Sequence, residues 1–133
     1  MLKCRCLWRV VPILFIGTNR LPKNCIAVSL GLIVLIRNSH IGDLPTTAHE
    51  LEHCKQSLKG LGFIHLFRYH FSTPYRLLSE AAAFAAEIEC YDSHEVTHRT
   101  AEAVESLVHC YRLHSSPIVA RDAIQVALNK NKA

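Results

Sequence analysis

Apolar positions along this chain follow two regimes. Over the first 36 positions they come as short runs, 10–16 and 26–36, rich in Val, Ile and Leu. The segment Gly17-Thr18-Asn19-Arg20-Leu21-Pro22-Lys23-Asn24 separates them. Runs of this kind, bounded by Gly, Asn and Pro, predict strand, turn and strand. The second run is continuously apolar, which predicts a strand covered on both faces. Asn38 to Pro45, holding Gly42 and Asp43, predicts a loop.

From about Thr46 the period becomes helical. Leu44, Ala48, Leu51 and Leu58 share one face, with Thr46 or Thr47 as the cap. Gly60-Leu61-Gly62 predicts the end of that helix, one glycine taking the left-handed position. The aromatic stretch 63–75 reads as a short helix or irregular segment, more suited to core packing than to a substrate pocket. Residues 76–91 predict an alanine-rich helix burying Leu77, Leu78, Ala81, Ala82, Ala85 and Ile88. After Asp92-Ser93, a helix is expected over 95–113, with Val96, Ala103, Val104, Leu107, Val108 and Tyr111 on its apolar face. Ser116-Pro117 opens a last helix to about Leu128, followed by a polar tail. Together these elements predict an α+β fold: a small N-terminal sheet packed on a helical bundle, in one domain over 1–133.

Composition narrows the function classes. Half of the 133 residues are hydrophobic and 20% are charged, a globular balance. The net charge of +4 is spread along the chain, and no basic stripe with interleaved aromatics predicts nucleic-acid binding. Neither apolar run approaches the roughly 20 residues of a membrane span. Lys3, Arg5 and Arg9 ahead of the first run imitate a secretory leader, but Pro12 interrupts that run and no small-x-small cleavage site follows. Cys54, Cys90 and Cys110 lie within helical patterns, and Cys4-Arg5-Cys6 lacks the spacing of a zinc knuckle. A reducing compartment, the cytoplasm, is the expectation.

The informative excess is histidine, at nine copies. In His49-Glu50-Leu51-Glu52-His53 the two histidines are four apart, so on a helix both imidazoles face one way. They can then share one Zn2+ at about 2.0–2.1 Å. Glu50 beside them is placed to take a proton from water whose pKa the ion lowers to about 7. A third ligand is needed, and Glu80, early on the next long helix and followed by alanines, is the candidate. Glu87, two turns on, is either the alternative ligand or a partner that orients an imidazole. His65, Tyr69, His70 and Tyr75 lie between the ligand helices, where one could donate to an oxyanion.

A strand, a loop, His49-Glu50-Leu51-Glu52-His53-Cys54-Lys55-Gln56, a glycine-closed turn and a Tyr-Arg-x-x-x-Glu-Ala segment resemble the zincin metallopeptidases. The likeness is to the small gluzincin-like branch with a downstream glutamate ligand, including short phage-type and bacterial peptidases. It covers roughly 26–91. It implies a minimal zincin core, zinc held by His49, His53 and Glu80, Glu50 as general base, and a peptide or protein substrate. Glu52 departs from the pattern, since zincins usually carry an uncharged residue there. A second copy, His94-Glu95-Val96-Thr97-His98, competes with the first, but it straddles a helix boundary and no strand and loop precede it. The rival from another class is a non-catalytic module, phage-derived for example, stabilised by zinc or free of metal.

Overall fold

A computed structural model describes residues 2–7, 11–111 and 113–132. Arg9, Val10 and the end of the tail, and the side chains of Leu2–Leu7 with Cys4 and Cys6, lie outside what is described. The chain runs through β1 (Leu2–Leu7), β2 (Val11–Thr18), β3 (Ala27–Leu30) and β4 (Ile33–Arg37), then α1 (Leu44–Lys59), α2 (Phe63–Phe71), α3 (Thr73–Ile88), α4 (Val96–His109) and α5 (Pro117–Lys132). The α+β class and the N-terminal sheet on a helical bundle are as the pattern predicts.

The sheet has the order β1-β2-β4-β3. The pairs β1–β2 and β3–β4 are antiparallel, whereas β2–β4 is parallel. The 26–36 run is therefore a hairpin and not one doubly covered strand. Gly31 (φ 71°) supplies the positive φ that a two-residue loop needs at its first position, and Leu30 pairs with Ile33 across it. Burial in β4 alternates: Val34 and Ile36 are buried, while Ile33 is exposed. One covered face suffices for an antiparallel hairpin. The second strand of the hairpin lies inside the sheet, so β3 becomes an open edge.

Two apolar clusters organise the rest. Ile13, Phe15, Val34, Ile36 and Cys54 join the sheet to α1. Ala81, Phe84, Ala85, Ile88, Ala103, Val104, Leu107, Ala120, Ile124 and Leu128 join α3, α4 and α5. Helices α1 and α3 face each other between these clusters. The alanines of α3 allow close approach, as predicted, but Leu78 points out and Phe84 points in.

Helix ends show where local chemistry decides. Asp43, not Thr46 or Thr47, caps α1: its carboxylate accepts from the Thr46 amide at 3.0 Å, with Pro45 in the first turn. At the other end Gly60 has an ordinary φ of −90°, and the left-handed residues are Leu61 and Gly62. Gly60 serves close approach instead. A Cβ there would lie 2.9 Å from His65 Cβ and 3.1 Å from the Gln56 carbonyl. Helix α4 stops at His109, short of the expected 113, which leaves Tyr111 in the following turn. The tail predicted to fray is helical to Lys132, and Asn131 donates to Glu89 at 3.2 Å.

The free cysteines among the described residues are Cys25, Cys54, Cys90 and Cys110. Among those residues, no helix is long and apolar enough to cross a membrane. Replacing Gly60 by Ala forces the α1–α2 corner apart and is expected to cost about 1–3 kcal/mol, read as a lower urea midpoint at unchanged slope.

Candidate metal centre

Helix α1 buries an unexpected face. Leu44 and Leu58 are exposed, while Thr47, His49, Glu50 and Ser57 are buried beside Cys54. The apolar period predicted the opposite stripe. His49 is buried where it meets the Glu80 and Glu87 carboxylates of α3, which periodicity in one helix does not reveal.

His49, His53 and Glu80 converge. One ligand atom from each lies within 4.8 Å of the others. Glu80 Oε2 sits 3.6 Å from His49 Nε2 and 3.5 Å from His53 Nε2. The Glu80 side chain is 2% exposed, and Oε2 has no hydrogen-bond partner. Leaving a buried carboxylate oxygen without a donor is costly. Two nitrogens and one oxygen around a common point, with an orphaned oxygen among them, are a donor set that fits zinc.

The outer nitrogens are already committed. His49 Nδ1 donates to Glu87 Oε2 at 3.0 Å, so Glu87 orients an imidazole and does not join the convergent set. His53 Nδ1 donates to Gln56 Oε1 at 3.3 Å. Gln56 Nε2 donates to the Ser79 carbonyl at 3.0 Å, which fixes which way that amide points. Both histidines therefore carry the proton on Nδ1 and turn Nε2 inward. On the other side, Tyr69 donates its hydroxyl to Glu80 Oε1, leaving Oε2 directed at the imidazoles.

Electrostatics follow this crowding. Burial opposes a charged His49, but the carboxylates of Glu80 and Glu87 outweigh it and lift its pKa to about 9. Burial would raise the Glu80 pKa too, yet the facing imidazoles and Tyr69 hold it well below the usual carboxylate range. Glu50 moves the other way: burial first, then the charges of Glu80 and Glu87, raise it against the pull of both histidines. Its Oε2 is also buried without a partner. Burial and the charge of Glu80 push the Tyr69 and Tyr111 hydroxyls upward, keeping them as neutral donors.

These groups line a cavity of about 560 Å³, walled by 24–29 and Gly31 from the sheet edge, by α1, α2 and α3, and by Cys110 and Tyr111. Arg37 holds that edge in place, its Nε donating to the Cys25 carbonyl at 2.7 Å. The remaining candidates fall elsewhere. Glu52 pairs with Lys55 at 2.9 Å on the helix surface, so its charge does not enter the site. His65 is buried and bonds the Tyr75 hydroxyl at 2.8 Å. His70 is exposed. His94 lies exposed in the turn before α4, and His98 pairs with Glu102 at 3.4 Å. Two residues that serve the site, Ser79 and Tyr111, carry no motif signal, and the motif assigns Gln56 no role in it. Gln56 falls one turn after His53, which is the only local hint of its role.

In chelator-treated protein the protonated form of His49 stabilises the fold. Its folded pKa of about 9 lies above the ordinary histidine value. The contribution is complete below about pH 6.5 and lost as pH rises through 9, on the order of 3 kcal/mol. Urea unfolding of metal-free protein across that window checks this, and His49→Gln should flatten it. No protein-family model matches the chain, no curated protein matches it in sequence, and no solved structure matches it in fold.

Proposed function

We propose that this chain is a zinc-dependent hydrolase of the zincin kind, acting on peptide bonds. The observation that carries the proposal is the buried, unpartnered Glu80 Oε2, faced by His49 Nε2 and His53 Nε2. His49, His53 and Glu80 would hold the ion. When bound, zinc polarises a carbonyl and acidifies water.

The chain's own residues supply the remaining parts. Glu50, buried at the cavity and with its pKa raised, takes a proton from water and returns it to the departing amine. A carboxyl raised toward neutrality is better matched to both transfers than an ordinary one. Glu87 and Gln56 keep the histidines in the tautomer with a free Nε2. Tyr69 holds Glu80 so that Oε2 points inward. The open edge β3 lines the same cavity, and an extended peptide can add to such an edge by main-chain hydrogen bonds.

Zinc content after purification should be stoichiometric in the wild type and lost in His49→Ala. A wild type without zinc, or a His49→Ala variant with undiminished zinc, refutes the ligand set. Against a quenched-fluorescence peptide library, Glu50→Gln should lower turnover about 10²- to 10⁴-fold while retaining zinc. Zinc bound without hydrolysis in either form would instead make the chain a zinc-stabilised module.

A further inference from the structure

Helix α2 is amphipathic in the inverted sense. Its inward face carries His65 and Tyr69, the residues that reach Tyr75 and Glu80. The opposite face carries Phe63, Ile64, Phe67 and Phe71, of which the three phenylalanines are 77%, 63% and 77% exposed. Leu61, in the turn before the helix, is 70% exposed and has a φ of 54°. A leucine held in the left-handed region is strained, and burial does not repay that strain here. A contiguous apolar surface of this kind on a small chain marks an interaction site.

Charge around this face selects the partner. No Asp or Glu occurs between Glu52 and Glu80. Of the cations in that interval Lys55 is paired with Glu52 and Arg76 is held by the Tyr69, His70 and Tyr111 carbonyls, which leaves Lys59 and Arg68. Lys59 and Arg68 are exposed and have no carboxylate partner among the described residues. Phe67 and Phe71 lie side by side, with ring centroids 4.7 Å apart, so the exposed aromatics form one stripe along the helix. Aromatic side chains on one face, flanked by cations, describe a helix that lies in the plane of a bilayer interface.

We propose that the α2 face is a peripheral docking surface for an anionic lipid bilayer, with Phe63, Phe67 and Phe71 entering the headgroup–acyl boundary. The contact does not require metal at the His49 site. Its lipid face and the cavity lie on opposite sides of α2, so docking leaves the cavity accessible.

The full chain should co-sediment with unilamellar vesicles of phosphatidylcholine mixed with phosphatidylglycerol, and much less with phosphatidylcholine alone. Raised salt should weaken the binding. Phe67→Ser and Phe71→Ser should each weaken it about tenfold, and Arg68→Gln about fivefold. Circular dichroism should be unchanged, because these side chains are exposed. A folded chain that stays in the supernatant at high lipid overturns the proposal. Binding that ignores both phosphatidylglycerol and Phe67→Ser overturns it as well. Light scattering that shows a dimer converted to monomer by Phe67→Ser would assign the face to a second copy and overturn it too.

Discussion

A carboxylate buried to 2% exposure with one oxygen unpartnered is the constraint around which this protein is arranged. Glu80 is unfavourable where it stands unless positive charge or a cation meets it. Every neighbour answers that demand. His49 and His53 approach from α1, and Tyr69 donates from α2. Glu87 and Gln56 stand behind the imidazoles and fix their tautomers. Without metal, His49 supplies the charge as a proton held to about pH 9. A metal ion would compete with that proton for the same nitrogen, coupling occupancy to pH.

The fold serves this arrangement by keeping two separate apolar clusters and placing the polar seam between them. Sheet and α1 form one cluster, and α3, α4 and α5 form the other. Each can bury apolar area without covering the seam. The hairpin at Gly31 makes β3 the outer strand, so the cavity is bounded on one side by an unpaired backbone edge. Helix α2 closes another side and turns its aromatics outward, having committed its inner face to His65 and Tyr69. The exposed α2 stripe thus follows from where the polar residues had to go.

Much of this was legible in the residues. The helical spacing of His49 and His53, Glu50 between them, the turn at 60–62 and the alanine-rich helix that carries Glu80 depend on local period and composition. These are properties of one element at a time, which a periodic pattern reports faithfully. The duplicated motif at His94 and His98 was also separable, because a helix boundary at Asp92-Ser93 can be read from the chain.

What periodicity could not supply was any outcome decided between elements. Leu44 and Leu58 look like the core face of α1, yet the buried stripe is Thr47, His49, Glu50 and Ser57, with the Glu80 and Glu87 carboxylates of α3 meeting His49. The aromatic stretch looks like core, yet its phenylalanines are exposed while Tyr69 and Tyr75 turn inward. The run 26–36 looks like one buried strand and is a hairpin, since only strand pairing reveals that β4 lies inside and β3 at the edge. Glu87 and Glu80 are equivalent in sequence, two turns apart on one face. Tertiary packing separates them by which imidazole nitrogen each one meets. The sequence by itself determined which groups could perform metal chemistry and on which helices they stand. Only the tertiary structure decided which of them converge, because convergence depends on distances between elements, and no repeat within a single element encodes those.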